Sequence, residues 1–348
     1  MKTYPVSVIT GFLGAGKTTF LNRMLKDAAL ARSGVIINEF GDIGLDHLLV
    51  EKADENIIEM SSGCLCCSIR GDLSDTILDL IAQRGSDFDR LIIETTGLAD
   101  PAPILQTLMS HPELEKRVRL AEVITLVDGL HGLATLAAQP EAMKQIAVAD
   151  RILLSKQDML SAPATDLLKE IARLQPAAQI LDAQKAEAQE VFGFGLYDVT
   201  EKPEAVRAWL SSHDHEHHHD QHRHHHDDVN RHGKDIIAFS ARTDVAMRPQ
   251  SLAMFLELLS SYHGAKILRL KGIVKLQDDP ERPVIIHGVQ HVIHAPQRLK
   301  NWPDADHSSR LVVITRGIEK QEIQGLLDAF TDPLTGEGVS QMDDTLKI

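Results

Sequence analysis

Residues 11 to 18 read Gly11-Phe12-Leu13-Gly14-Ala15-Gly16-Lys17-Thr18, and this stretch decides the fold of the first half of the chain. It matches the pattern G-x-x-x-x-G-K-[ST] in full, after a short apolar run and before a stretch with helical spacing. In such a loop, glycines allow backbone N–H groups to surround a phosphate, and the lysine reaches the β- and γ-phosphates while the next hydroxyl coordinates Mg²⁺. The sequence therefore predicts a phosphate-binding site made of Gly11, Gly14, Ala15, Gly16, Lys17, Thr18 and Thr19.

Apolar strand patterns alternate with helical patterns through the first half of the chain, in a domain that is expected to end between Ala183 and Trp209. The main apolar runs are Val6–Thr10, Gly34–Ile37, Phe88–Glu94, Ala121–Val127 and Arg151–Leu154. Continuous apolar strands that alternate with amphipathic helices are typical of a parallel sheet covered on both faces. We therefore predict an α/β fold for residues 1–200, a P-loop NTPase domain whose parallel-rich sheet is flanked by helices. Its first helix is expected to run from Lys17 to Leu30.

A histidine-rich segment follows this domain. Residues 201–234 are predicted to form a flexible linker, because nine histidines lie between His213 and His226, interleaved with acids, and few apolar side chains are available to order the segment. Neutral imidazoles bind Zn²⁺, Ni²⁺ or Co²⁺, so the segment is expected to collect metal ions weakly. The alternative is a solvated spacer.

The last part of the chain has the pattern of a small α+β C-terminal domain at residues 235–330. Its strand and helix patterns lie at Ile236–Ser240, Pro249–Tyr262, Ala265–Leu276, Val284–Ile293, Leu311–Thr315 and Glu319–Phe330. We predict an antiparallel sheet backed by two helices. Residues 331–348 form a polar tail that is expected to fray.

All three cysteines of the chain lie in one stretch, Gly63-Cys64-Leu65-Cys66-Cys67. Thiolates are soft ligands that suit Zn²⁺ and similar ions, so the cluster is a candidate metal site. Three thiolates leave a fourth position for a side chain, for water or for a group of a partner protein. Two alternatives stay open, a chance cluster and a redox pair, because Cys64 and Cys67 have the C-x-x-C spacing.

Two further segments carry acids that suit a nucleotide site. Glu94 ends an apolar strand three residues before Gly97. Such an acid holds Mg²⁺ through water, and such a glycine offers its N–H to a γ-phosphate. Glu39 and Asp42 lie in the loop after the second strand, where they are candidates to bind Mg²⁺, to position water or to contribute a metal ligand. The alternatives are an ordinary strand end for Glu94 and solvated acids for Glu39 and Asp42.

A candidate base-binding segment, Ser155-Lys156-Gln157-Asp158, follows the strand pattern that ends at Leu154. The carboxylate of Asp158 is able to accept hydrogen bonds from the N1 and N2 groups of guanine, which adenine does not offer. Proteins that bind guanine usually have Asn or Thr at the position of Ser155, so the match is imperfect. We predict that Ser155, Lys156 and Asp158 bind the base and favour guanine.

Composition excludes several other classes of protein. The formal net charge of −14 argues against a nucleic-acid partner, which requires clustered Lys and Arg. The sequence has no apolar run of about eighteen residues, so no transmembrane helix is predicted. The start of the sequence lacks a signal-peptide pattern, and the cysteines do not fit a disulfide framework. The expected location is therefore the cytoplasm, with reduced thiols.

Taken together, these motifs resemble those of the CobW family of P-loop GTPases, metallochaperones related to the nickel inserters for hydrogenase and urease. The resemblance extends from Val6 to about Phe330. It rests on six stretches, Thr10–Thr19, Asn38–Gly41, Gly63–Cys67, Glu94–Gly97, Leu268–Gly272 and His287–Gln290. The family implies GTP hydrolysis coupled to delivery of a metal, most often zinc, with cobalt in cobalamin synthesis as another branch. It also implies that Cys64, Cys66 and Cys67 bind the metal, whereas Ser155 departs from the commoner Asn.

Our working hypothesis is a GTP-hydrolysing metallochaperone that binds zinc at the cysteine cluster and transfers it to a client protein, whose identity the resemblance does not give. GTP, Mg²⁺ and Zn²⁺ are the expected cofactors, with Co²⁺ or Ni²⁺ as alternatives to zinc. The candidate catalytic residues are Lys17, Thr18, Glu39, Asp42 and Glu94. Since the sequence shows no obvious glutamine to position water and no arginine finger, a homo-oligomer or the client is expected to complete the site.

In this hypothesis the nucleotide controls the metal. GTP and Mg²⁺ would order residues 39–44, and hydrolysis would release them and change the affinity of the thiolates for metal. The main alternative is a zinc store or sensor in which the nucleotide is structural, and a cobalt-delivery protein is a second. A nucleotide kinase is a third alternative, which leaves the thiol cluster without a role.

Overall fold

A computed structural model of the chain describes residues 2–38, 57–60, 69–192 and 235–331. The chain divides into two compact units, Met1–Lys234 and Asp235–Ile348. The predicted histidine-rich linker and nearly all of the predicted tail lie outside the described residues, so the expectations about them stay predictions. Within the described residues, no helix has both the length and the apolar character that crossing a membrane requires.

The first unit is built on a sheet of seven parallel strands. These are β1 (Tyr4–Gly11), β2 (Ser33–Asn38), β3 (Ile57–Met60), β4 (Arg90–Glu94), β5 (Val118–Asp128), β6 (Arg151–Ser155) and β7 (Gln179–Asp182). Their order across the sheet is β3-β2-β4-β1-β5-β6-β7. Leu91, Ile92 and Ile93 of β4 are all fully buried although they point to alternating faces, so both faces of the sheet are covered. The predicted α/β class is confirmed.

Seven helices belong to the described part of this unit. They are α1 (Lys17–Leu25), α2 (Ile69–Arg84), α3 (Ala102–Ser110), α4 (Gly132–Ala138), α5 (Pro140–Ala147), α6 (Thr165–Leu174) and α7 (Ala188–Phe192). The prediction that the first helix reaches Leu30 is wrong, because it ends at Leu25. The side chain of Asp27 accepts a hydrogen bond from the backbone N–H of Ala29 and caps a separate short turn, Ala28–Leu30.

The carboxyl ends of four central strands lie side by side at one edge of the sheet. β1, β4, β5 and β6 end at Gly11, Glu94, Asp128 and Ser155. The register pairs Ile9 with Glu94 and Asp128 with Ser155, so the loops that follow these strands start next to one another. We call this edge the carboxyl edge. Ligands of open parallel sheets bind at such an edge, where the strand order reverses.

The second unit is an α+β domain, as predicted. It contains β8 (Ile236–Thr243), α8 (Pro249–Leu258), β9 (Ile267–Val274), β10 (Val284–Val289), β11 (Val292–Ile293), β12 (Gln297–Arg298), β13 (Ser309–Arg316) and α9 (Lys320–Thr331). The strands form an antiparallel sheet in the order β11-β10-β9-β13-β8, with β12 also paired to β10. Phe255 of α8 and Leu327 of α9 are fully buried against Leu270 and Val313 of the sheet.

One strand prediction in this unit is wrong. The run Val284–Ile293 was expected to be a single strand, but it folds into a hairpin in which Val289 pairs with Val292. Gln290 has φ of 51°, a left-handed conformation that turns the chain back after β10. Glutamine is an unusual residue for such a turn, so the sequence carries no turn signal at this position.

Candidate nucleotide-binding site

The predicted phosphate-binding loop leaves β1 at the carboxyl edge and leads into α1. Gly11, Gly14 and Gly16 all have positive φ, of 141°, 72° and 89°. At Gly11 a Cβ atom would lie 2.4 Å from the carbonyl oxygen of Leu126, so only glycine fits there. Within the loop, the N–H of Ala15 donates to the carbonyl of Phe12 at 3.1 Å. The glycines therefore produce a tight loop that directly precedes a helix N-terminus.

The ammonium group of Lys17 lies within this loop. Its Nζ donates to the carbonyl oxygens of Gly11 and Phe12, at 2.8 and 3.3 Å, and the residue is 9% exposed. A phosphate oxygen is a stronger acceptor for an ammonium group than a carbonyl, because both partners are charged. The lysine is thus already at the loop that is predicted to surround the phosphates.

Thr18 and Glu94 form the contact that joins α1 to the end of β4. The Thr18 hydroxyl donates to Oε1 of Glu94 at 2.7 Å, and Glu94 is 4% exposed. A hydroxyl and a carboxylate are hard oxygen ligands of the kind that Mg²⁺ prefers. The donor set therefore fits Mg²⁺. Thr19, the next residue of α1, is exposed.

The segment after β4 packs directly against the phosphate-binding loop. Thr95 is held from two sides, since its N–H donates to Ile9 O and its hydroxyl donates to Thr10 Oγ1, both at 2.9 Å. A Cβ atom on Gly97 would lie 2.7 Å from the backbone N of Leu13, so this close approach requires glycine. Gly97 therefore lies beside the loop that carries Lys17.

The predicted base-binding residues follow β6 at the carboxyl edge. Ser155 lies against the phosphate-binding loop, because a Cβ atom on Gly16 would be 3.9 Å from Ser155 Cβ. Lys156 has φ of 54°, and its ammonium donates to Asp128 Oδ2 at 2.7 Å. Partial burial raises the pKa of Asp128, but hydrogen bonds from Lys156 and from the His131 backbone N–H outweigh it, so the pKa is lowered overall. Asp128 stays ionised and keeps Lys156 in place.

Asp158 is exposed at the same edge and meets a residue that the sequence did not predict. Nε2 of Gln184 donates to Asp158 Oδ1 at 2.6 Å. An ionised carboxylate has about four lone-pair sites, so this bond leaves acceptor capacity for a base. Gln184 follows β7, and no pattern around this short strand marked it as a site residue.

The loop after β7 is fixed by two anchors. Asp182 Oδ1 accepts a hydrogen bond from the Gln184 N–H at 2.9 Å. Arg23 of α1 donates to the carbonyls of Ala183 and Ala186, at 2.6 and 2.9 Å. The helix that begins at the phosphate-binding loop thus also positions the loop next to Asp158.

A cavity of about 240 Å³ lies beside the phosphate-binding loop, on the side of α4 and α5. Its lining includes Leu13, Asp128, His131, Gln145 and Lys156. Leu13 is 58% exposed, which makes it an apolar side chain at the rim. The cavity is therefore bounded both by the loop and by the residue that anchors Lys156.

The predicted metal ligands and two predicted acids, Glu39, Asp42, Cys64, Cys66 and Cys67, all lie outside the described residues. In the part of the chain that the structure does describe, no three His, Cys, Asp or Glu side chains are grouped closely enough to hold a metal ion. β2 and β3 run parallel to β4, so both of their carboxyl ends lie at the carboxyl edge. The segments that carry these five residues therefore begin at the same edge as the phosphate-binding loop.

Comparisons with known families and proteins cover both units. The model of the CobW/HypB/UreG nucleotide-binding domain matches residues 5–182, and that of the cobalamin synthesis protein cobW C-terminal domain matches residues 236–331. The zinc chaperone YjiA of Escherichia coli is 32% identical over 327 residues, which cover 93% of this chain and 98% of that protein. The zinc chaperone CobW of Pseudomonas aeruginosa is 33% identical over 356 residues, covering 93% of this chain and 90% of that protein.

Two solved structures are also similar to this chain. A zinc-bound triple mutant of the YjiA GTPase has a TM-score of 0.68 and 27% identity, covering 95% of this chain and 100% of that chain. The zinc-bound YjiA GTPase of E. coli has a TM-score of 0.66 and 25% identity at the same coverage. With both family models matched in order along its length, this chain belongs to the CobW family.

Proposed function

We propose that this protein is a GTP-hydrolysing zinc chaperone, which carries zinc as its cargo and transfers it to a client metalloprotein. The GTPase part rests on one contact, in which the hydroxyl of Thr18, directly after the glycine-rich loop, lies 2.7 Å from the carboxylate of Glu94 at the end of β4. The zinc part is supported by relatives that are named zinc chaperones and that match 93% of this chain.

The phosphates of GTP are proposed to bind the loop Gly11–Thr18. Lys17 exchanges the carbonyl oxygens of its own loop for phosphate oxygens, and the backbone N–H groups of the loop donate to the same phosphates. Thr18 and Glu94 would hold Mg²⁺, which when bound neutralises negative charge on the β- and γ-phosphates. Gly97 lies against Leu13 and is positioned to offer its N–H to the γ-phosphate.

The base is proposed to be guanine, read by Asp158. Its carboxylate accepts from the N1 and N2 groups of guanine while Oδ1 also keeps the hydrogen bond from Gln184. Ser155 and Lys156 form the wall between the base and the phosphate-binding loop, because Ser155 lies next to Gly16. Adenine lacks donors at the matching positions, so GTP is preferred to ATP.

Zinc is proposed to bind Cys64, Cys66 and Cys67. β3, which ends at Met60, lies three strands from β1 in the sheet, so the two strand ends are about 14 Å apart at a spacing of about 4.8 Å. Cys64 lies four residues after Met60 and therefore reaches up to about 14 Å from the end of β3, which is enough to bring its thiolate close to the nucleotide. The γ-phosphate and the metal are therefore proposed to lie close together, so that loss of the γ-phosphate affects the thiolates.

Two acids and the histidine-rich segment also have proposed roles. Glu39 and Asp42 follow β2, two strands from β1, and are proposed to act in hydrolysis or as a further metal ligand. Residues 201–234 are proposed to collect metal ions through their histidines. We also propose a cytoplasmic location, because thiolates that bind and release zinc require a reducing compartment.

Zinc content and GTP hydrolysis, measured on one preparation under reducing conditions, test the proposal. The wild-type protein is expected to bind zinc and hydrolyse GTP. Cys66→Ala is expected to lose zinc and keep hydrolysis, and Lys17→Ala is expected to lose hydrolysis and keep zinc. Equal zinc content in the wild type and Cys66→Ala would end the assignment of the ligands. Undiminished hydrolysis by Lys17→Ala would end the assignment of the nucleotide site.

A further inference from the structure

Gln145 of α5 is a buried amide that holds the segment after β4. The residue is 1% exposed, and its Nε2 donates to Gly97 O at 3.2 Å and to Ala99 O at 3.1 Å. Both acceptors belong to the segment that packs against the phosphate-binding loop. One side chain therefore uses both of its N–H groups on the segment that lies next to the γ-phosphate position.

The segment itself forms a turn whose shape these bonds maintain. The Ala99 N–H donates to Thr96 O at 3.2 Å, which orients the peptide between Thr96 and Gly97. The N–H of Gly97 belongs to that peptide and points opposite to its carbonyl, because a trans peptide is planar. Gln145 then fixes the next carbonyl, Gly97 O, so the conformation of Gly97 is constrained on both sides.

α5 is itself hydrogen-bonded to β5 and to the segment after β4. The hydroxyl of Thr125 in β5 donates to the backbone carbonyl of Gln145 at 2.8 Å, in a buried hydrogen bond. The preceding residue of α5, Lys144, donates to Asp100 Oδ2 at 2.8 Å, and both side chains of this ion pair are partly buried. The segment after β4 is thus attached to α5 at three points, Gly97, Ala99 and Asp100.

We propose that Gln145 is a positioning residue for the γ-phosphate, and that its two hydrogen bonds hold the Gly97 N–H where it distinguishes GTP from GDP. GDP has no group at this position, so its affinity does not depend on the two Gln145 hydrogen bonds. These two bonds therefore set the ratio of the affinities for GTP and GDP. This inference rests on the proposed GTP site and adds to it a residue that determines which nucleotide state the protein favours.

Gln175 provides a matched control. It is also buried, at 3% exposure, and its Nε2 also donates to two backbone carbonyls, Ala147 O at 2.8 Å and Ala149 O at 2.9 Å. Those carbonyls belong to the last residue of α5 and to the connection between α5 and β6, and neither is part of the segment after β4. Replacing either glutamine with methionine removes two donors and keeps the length of the side chain. Gln175→Met also removes the acceptor of the Ala177 N–H, so it should lose at least as much stability as Gln145→Met.

The experiment measures the dissociation constants of the full-length protein for GDP and for a non-hydrolysable GTP analogue, in Mg²⁺. Gln145→Met is expected to weaken binding of the analogue about 5- to 30-fold, as the loss of one or two net hydrogen bonds predicts, and to leave GDP affinity unchanged. Gln175→Met is expected to keep the wild-type ratio of the two constants. A wild-type ratio in Gln145→Met overturns the inference and leaves the proposed function standing.

Two further outcomes are decisive. If Gln145→Met folds poorly, Gln145→Asn decides, because it keeps an amide but shortens the side chain, so that its N–H groups no longer reach Gly97 O and Ala99 O together; it is expected to shift the ratio in the same direction, and an unchanged ratio overturns the inference. A wild-type protein that binds neither nucleotide overturns the proposed function instead.

Discussion

Replacing Glu94 with glutamine is expected to slow GTP hydrolysis without unfolding the first unit. Glu94 is 4% exposed and accepts the Thr18 hydroxyl at 2.7 Å, and glutamine keeps an oxygen for this contact. It loses the negative charge that would bind Mg²⁺. A hydrogen bond to a charged group contributes about 1.5 to 3 kcal/mol. If this contribution is realised in the transition state, kcat falls about 10- to 150-fold.

The assay is phosphate release at saturating GTP over a range of Mg²⁺ concentrations, with a thermal melt of each protein. Glu122→Gln is the control, because Glu122 is also a buried carboxylate, at 1% exposure, and accepts the Ser7 hydroxyl at 2.8 Å within the sheet. Glu122→Gln is expected to change the melting temperature and to leave kcat within about twofold of the wild-type value. A folded Glu94→Gln protein with the wild-type kcat and the wild-type Mg²⁺ dependence would refute the assignment of Glu94.

Three further predictions concern packing, the base and pH. Gly97→Ala places a Cβ atom 2.7 Å from the Leu13 backbone, so it should cost about 1 to 3 kcal/mol of stability in urea denaturation and weaken GTP binding; a silent substitution would contradict the packing argument. Asp158→Asn should lower the affinity for GTP and raise that for xanthosine triphosphate, because an amide donates to the xanthine oxygen; unchanged binding of both nucleotides would remove Asp158 from the base site. Burial raises the pKa of Glu122 to about 7 from an ordinary 4.5, so its contribution to stability is present below pH 4.5 and is lost as the pH rises through about 7. Glu122→Gln should therefore show a flatter dependence of unfolding free energy on pH, by about 3 kcal/mol between pH 4.5 and pH 8, and an unaltered slope would place the titration elsewhere.

The phosphate-binding loop and the central strands were predictable because their signals are local. Gly11–Thr18 is a contiguous motif, and β1, β4 and β6 are continuous apolar runs whose burial on both faces needs no knowledge of their partners. β7 was not predicted, since Gln179–Asp182 is four residues long and none of them is fully buried. The hairpin after β10 was missed because its turn depends on the left-handed conformation of Gln290.

The residues that support the site were not predictable, because their partners are distant in sequence. Gln145 lies 48 positions from Gly97, Gln184 lies 26 positions from Asp158, and Arg23 lies 160 positions from Ala183. Each is a polar residue without a motif, and its role appears only when the strands bring the loops together at the carboxyl edge. Asp128 had a weak local signal, as an acid that directly ends the apolar strand β5.

In the proposed function, the nucleotide controls the release of zinc. The most direct test loads the reduced protein with zinc and follows transfer to a chromogenic chelator in the presence of Mg²⁺ and either GTP, GDP or a non-hydrolysable GTP analogue. Transfer is expected to be slow with the analogue and faster when GTP is hydrolysed, and the acceleration is expected to be absent in Lys17→Ala. Equal transfer rates with all three nucleotides would contradict control of zinc release by the nucleotide and would indicate a zinc store in which the nucleotide is structural.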